Sequence, residues 1–174
     1  MNKPTIALIS ICFLASAEIC FAQDKVKARI ETVRQFARDL QGGKSDGEIF
    51  KLYLESAGDF HDHTVRQTAT GWNDLLRESL KKIPAGRIEV YKYTDHPETR
   101  KPLKPIEGPA AEVTGYVPLA FELHTNNKIV AVETDDLYVL KLDEEKVYVL
   151  FNGDNNLITY FGLLWGHKVA LMQF

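Results

Sequence analysis

Apolar side chains recur at three- and four-residue steps in the first half of the chain, and from residue 87 onward the repeat shortens to two. Val26, Ile30, Val33, Phe36, Ala37 and Leu40 make one stripe, while Lys27, Arg29, Glu31, Arg34 and Arg38 fill the other face. This spacing predicts an amphipathic helix to about Gln41, with Asp24 as its N-cap and Gly42-Gly43 as its stop. Ser45 or Asp46 then caps a shorter helix with Ile49, Phe50, Tyr53 and Leu54 on one side. A third helix opens at Thr70 or Gly71, carries the stripe Trp72, Leu75, Leu76, Leu80 and Ile83, and ends at Pro84 and Gly86.

The second half reads as strands. Ile88, Val90 and Tyr91 begin it. Over 112–123, Val113, Val117, Leu119, Phe121 and Leu123 alternate with Glu112, Thr114, Tyr116 and Glu122. Pro118 inside that run predicts an edge position or a bulge. Asn126-Asn127 predicts a turn before a long strand over 129–142, and Asp143-Glu144-Glu145 turns the chain into Val147–Phe151. A turn at Asn152–Asn156 leads to a last strand near Leu157–Phe161, and an apolar tail to Phe174 is expected to pack on the body. Four prolines between Asp95 and Pro109 mark either a solvated connection or a semi-rigid flap over a pocket mouth. Three helices followed by such strands give an α+β class: three N-terminal helices packed on a curved, mainly antiparallel sheet forming a cone-shaped pocket.

The first 22 residues stand apart. Lys3, a short apolar run from Thr5 to Ala15, and small residues before Gln23 have the layout of a secretory signal peptide cut after Ala22. The run is shorter than the roughly 20 residues of a membrane span, and Glu18 interrupts it, so no stable span is expected after cleavage. The division expected is thus 1–22 signal peptide and 23–174 a single domain, secreted or periplasmic. Both cysteines, Cys12 and Cys20, fall in the leader, which leaves the mature chain without a thiol for a disulfide, nucleophile or metal site. The net charge of −3, with acids and bases interleaved, gives no footprint for nucleic acid or a membrane surface.

Candidate chemistry starts with Gly58-Asp59-Phe60-His61-Asp62-His63-Thr64. If this run is extended, Phe60 and Asp62 share one face and His61 and His63 the other. Phe60 then takes Asp62 inward, where its carboxylate is either a general base for a bound carbon acid or a cap for the next helix. His61-x-His63 fixes only two ligands where zinc needs three or four, so no metal and no other cofactor is expected. On the strand over 129–142, Asp136 shares its phase with Val130, Val132, Tyr138 and Leu140. A carboxyl there is either desolvated toward a neutral donor or base, or paired at the mouth with a Lys or Arg, or its phase is broken by a bulge at Asp135-Asp136. Phe36, Tyr53, Phe60, Trp72 and Tyr138 are candidate ligand-lining rings, though rings at such spacing serve equally as core.

The order of elements, with Leu40-Gln41-Gly42-Gly43-Lys44-Ser45-Asp46-Gly47, Leu52-Tyr53-Leu54 ahead of Asp59–His63, and Gly71-Trp72-Asn73-Asp74-Leu75-Leu76, resembles the nuclear transport factor 2-like superfamily. Ketosteroid isomerases and SnoaL-like polyketide cyclases belong to it. The resemblance implies a cone pocket in which Asp62 matches the proton-shuttling base and Asp136 the acid that donates to an oxyanion. Phe36 stands where the isomerase branch carries a tyrosine, and it offers no hydroxyl to that oxyanion. The function implied is the binding of a small apolar carbonyl-bearing molecule, with proton transfer by Asp62 and Asp136 if the protein is an enzyme. The alternative is a non-catalytic ligand carrier or an interaction module that forms a homodimer through its sheet face.

Overall fold

Helix α1 runs unbroken from Thr5 to Gln41, so Asp24 lies within a helix and caps nothing. The computed structural model describes residues 5–54, 63–95, 119–125, 128–143, 145–165 and 168–173. Val33, Phe36, Ala37 and Leu40 of α1 are buried as the stripe predicts, but Arg29, read from the sequence as outward, is buried among them. It sits three residues after Val26 and four before Val33, which places it on the same helix face. Gly43 ends the turn at φ 81°, a left-handed value that costs glycine nothing.

Helix α2 spans Asp46–Tyr53 and is opened by a capping box in which Ser45 and Glu48 satisfy each other's backbone N–H groups. Helix α3 spans His63–Lys81, opening well before the expected Thr70 or Gly71. Among its described side chains the buried positions are Ala69, Asn73, Leu76 and Leu80, an i, i+4, i+7, i+11 stripe. Leu75, expected in that stripe, is 65% exposed. Ile83 lies past the end of the helix and still packs partly against the core.

The strands are β1 (Glu89–Lys92), β2 (Ala120–His124), β3 (Ile129–Ala131), β4 (Leu137–Leu142), β5 (Glu145–Phe151), β6 (Leu157–Thr159), β7 (Gly162–Trp165) and β8 (Lys168–Met172). They form two four-stranded sheets, β1-β4-β5-β6 and β3-β2-β8-β7, where the sequence predicted one curved sheet. Every pair is antiparallel except β2 with β8. The alternating run expected over 112–123 appears as β2 in its described part, and residues 112–118 lie outside the described residues.

The long strand expected over 129–142 is broken. A single 3-10 turn at Thr134–Asp136 separates β3 from β4 and sends them to different sheets. Thr134, Asp135 and Asp136 can each offer the backbone a local side-chain partner, which favours a turn over a continuing ladder. The last expected strand also ends early. Thr159 Oγ1 donates to the Met172 carbonyl at 2.6 Å and accepts from Phe161 N at 3.0 Å. Met172 N in turn donates to the Phe161 carbonyl at 2.8 Å, so the chain leaves β5 at Thr159 and joins β8. The apolar tail is thereby a β-hairpin, β7 and β8.

The period of two sorts β5 between two cores. Val147, Val149 and Phe151 join the larger cluster, with Phe36, Leu40, Leu76 and Leu80 from the helices. Tyr148 and Leu150 join the smaller one, with Phe121, Val169 and Leu171 from the second sheet. Among the described residues no helix is long and apolar enough to cross a membrane.

Candidate functional site

Phe60 and Asp62, with Asp59 and His61, lie outside the described residues, and His63 is the first residue of α3. The other sequence-predicted positions fall in three different places.

Phe36 is wholly buried, its ring centroid 5.3 Å from Tyr53 and 4.5 Å from Tyr160. Tyr53 donates its hydroxyl to Asp39 Oδ2 at 2.9 Å, tying α2 to α1. Asp39 also accepts from Gln35 at 2.9 Å and faces the Lys44 ammonium at 3.3 Å. Burial would raise the Asp39 carboxyl, but the hydrogen bonds from Tyr53 and Gln35 and the Lys44 charge outweigh it and hold it below its ordinary value. Burial first, and then the bond to Asp39, push the Tyr53 phenol up. Tyr53 is therefore a committed neutral donor within the fold.

Asp136 is held by Arg29. Arg29 Nη1 donates to Asp136 Oδ1 at 2.5 Å, Nη2 to the Asn152 carbonyl at 2.5 Å and Nε to Asn155 Oδ1 at 2.9 Å. The guanidinium lies 5.8 Å from the Tyr138 ring centroid and 5.2 Å from that of Phe151. The Asn152–Asn156 loop is pre-shaped to receive it. Asn152 Oδ1 accepts from Asp154 N and Asn156 N, both at 2.9 Å, and Asn155 takes a left-handed φ of 66°. Arg29 is 2% exposed and Asp136 40%, so the carboxylate meets solvent on one side and a fixed cation on the other. Tyr138 is fully buried beside them, and burial raises its phenol while the Arg29 bond and charge oppose that rise.

A second buried polar chain crosses the helices. Tyr160 donates to Asn73 Oδ1 at 2.6 Å, and Asn73 Nδ2 donates to Asp46 Oδ1 at 2.9 Å. Arg77 Nη2 reaches the same carboxylate at 2.6 Å and the Lys44 carbonyl at 2.9 Å. Every side chain in this chain has a partner, so it anchors α3 against α2 and the sheet end.

Trp72 stands apart from both networks, on an open groove of about 590 Å³. Trp72, Leu75 and Leu76 of α3 line one wall, Val147 and Tyr148 of β5 and Gly162, Leu164 and Val169 of the second sheet the other. Glu78, Ser79, Glu145 and Lys146 complete the lining with polar groups. The described pairing of β5 with β6 is at Leu150 and Phe151, and β7 pairs with β8. A smaller recess of about 260 Å³, lined by Ser79, Lys82, Leu142, Asp143 and Glu145, continues the groove. Another open cavity of about 570 Å³ lies along α1, lined by Ala22, Gln23, Val26, Lys27, Ile30, Glu31, Arg34 and Asp95.

Of the predicted set, the structure places Tyr138 close to Asp136 through Arg29, places Phe36 beside Tyr53, and sets Trp72 on the groove. Arg29 was read as outward, although its spacing from Val26 and Val33 is a signal that could have placed it inward; Leu164 and Val169 carried no such signal, since their role depends on where the tail hairpin docks. Among the described residues no group of three or more His, Cys, Asp or Glu side chains converges on a metal position. No family model matches the chain, and neither a curated protein nor a solved structure does.

Proposed function

We propose that this protein is an exported, non-catalytic binding module of the nuclear transport factor 2-like type, which holds an apolar guest in the groove between α3, β5 and β7. The observation that carries the reading is the groove itself. Its volume of about 590 Å³ lies in the range of ligand sites, and its walls combine Trp72, Leu75, Leu76, Leu164 and Val169 with a few polar groups. Leu75 and Leu164 are 65% and 68% exposed, a cost that a bound apolar guest would remove.

Two arrangements favour binding over proton transfer. Phe36 supplies packing where an oxyanion donor would be needed, and its ring is closed in by Tyr53 and Tyr160. Asp136 is engaged as an acceptor by Arg29, an arrangement suited to holding α1 on the sheet. Export fits the same picture. The Arg29 and Asp39 ties lie after Ala22, so cleavage there would leave them in place.

The test is titration of the purified protein with an apolar naphthalene-sulfonate dye, followed by energy transfer from tryptophan and compared with Leu75→Asp and Leu164→Asp. Binding to the native protein and its loss in both variants, at unchanged unfolding midpoints, is expected. Undiminished dye binding in both variants would overturn the assignment of the groove. Native mass spectrometry of protein from its own source then identifies a retained guest.

A further inference from the structure

We infer that Asn152-Gly153 is a self-modifying site, at which the Gly153 backbone nitrogen closes on the Asn152 side-chain amide and the fold around Arg29 promotes the reaction. The site is independent of the groove and of what fills it.

The dipeptide joins an amide side chain to a residue without a Cβ, so the next backbone nitrogen meets the least hindrance in approaching the amide carbon. The reaction is an intramolecular displacement. Gly153 N gives its proton to water and forms a bond to Asn152 Cγ. The bond from Cγ to Nδ2 breaks, and the amide nitrogen takes up a proton and leaves as ammonia. Water then opens the five-membered imide at either of its carbonyls, leaving an aspartyl or an isoaspartyl residue at position 152. Asn152 is half-buried and Gly153 exposed, so water has access to both steps.

The fold stabilises the charge of each step. When Gly153 N loses its proton, peptide resonance carries the negative charge to the Asn152 carbonyl oxygen. That oxygen accepts from Arg29 Nη2 at 2.5 Å and from Asn155 N at 3.2 Å. A buried guanidinium at this point favours the deprotonated peptide, as it favours any anion beside it. Attack on Cγ then moves the charge to Asn152 Oδ1. This atom already accepts from Asp154 N and Asn156 N, both at 2.9 Å. Two fixed N–H donors on an oxygen that becomes an oxyanion lower the barrier to acyl transfer. The same two bonds curl the side chain over residue 153, toward the nitrogen that attacks. Lys25 Nζ donates to the Gly153 carbonyl at 3.3 Å, so a second cation stands by the loop where the new carboxylate forms. Rigidity opposes all this, because a loop clamped by Arg29 resists the rotation that closes the ring. Activation and clamping predict opposite signs for the loss of Arg29.

The experiment incubates the full chain in mildly alkaline buffer, folded and, in parallel, unfolded in urea. Peptide mapping by mass spectrometry follows the conversion of amide to acid at Asn152, and enzymatic methylation of isoaspartyl carboxyls counts the isomer. Conversion in the folded protein is expected to run about tenfold or more faster than in urea. Arg29→Gln is expected to lower the folded rate toward the urea value. Gly153→Ala adds a Cβ that meets nothing within 4 Å, and is expected to suppress conversion at an unchanged unfolding midpoint. A folded rate equal to or below the urea rate would overturn the inference. Faster conversion in Arg29→Gln than in the native protein would also overturn it, and would assign Arg29 to clamping the loop. Conversion unaffected by Gly153→Ala would exclude attack by the Gly153 nitrogen. Should Arg29→Gln fail to fold, the comparison of the folded native protein with its urea-unfolded form decides alone.

Discussion

Arg29 and Asp136 meet at 2.5 Å across 107 positions of sequence, and the contact joins the first helix to the turn that divides β3 from β4. Removing the guanidinium strips Asp136, Asn155 and the Asn152 carbonyl of a donor at once, and opens space against Tyr138 and Phe151. Arg29→Ala is therefore expected to cost roughly 2–5 kcal/mol, from the lost charge-assisted hydrogen bonds and the space left against Tyr138 and Phe151. Asp136→Asn keeps an oxygen acceptor but leaves the buried guanidinium without its counter-charge, and is expected to cost less, about 1–3 kcal/mol. Urea unfolding measures both. Equal losses would mean that the pair, and not the wider set of Arg29 contacts, holds α1 in place.

The Tyr160–Asn73 bond lies inside the core at 2.6 Å. Tyr160→Phe keeps the ring against Phe36 and Phe161 but leaves Asn73 Oδ1 buried without its donor. A loss of roughly 1–3 kcal/mol is expected by chemical denaturation, the cost of an unsatisfied buried polar atom. A neutral result would show that water reaches Asn73.

Asp39 makes stability depend on acid. Its carboxyl is held below the ordinary value of 3.8 in the fold, so its contribution is present above that value and lost as pH falls through the lower folded one. The stability gap between the native protein and Asp39→Asn is expected to shrink between about pH 5 and pH 2. Tyr53→Phe, which removes the Asp39 donor, should narrow that gap at neutral pH. Denaturation midpoints across the acid range report both, and a gap independent of pH would contradict the assignment.

Much of the local order was legible along the chain. The Val33–Leu40 stripe, the Ser45 cap and the turn from α3 into β1 follow from spacing and from residues whose effects are felt within one helical turn. Arg29 shows how a local rule misleads. A charge is read as outward, but its helix position is inward, and a distant asparagine loop supplies the acceptors that make burial tolerable. Asp136 misled differently. Its place in a period of two looked continuous from Val130 to Leu142, although the polar run at Thr134–Asp136 breaks the strand.

By itself the sequence determined an α+β chain, the buried stripe from Val33 to Leu40, the position of several strands and the absence of any thiol beyond Cys20, because periodicity, capping and composition act over a few residues. Only the tertiary structure decided that the strands divide into two sheets, that Asp136 belongs to Arg29, and that α3, β5 and β7 leave a groove between them. Those outcomes depend on which distant backbone groups satisfy one another. At Thr159, hydrogen bonds to Met172 and Phe161 draw the chain from one sheet to the other, and a pattern of apolar and polar residues does not record that choice.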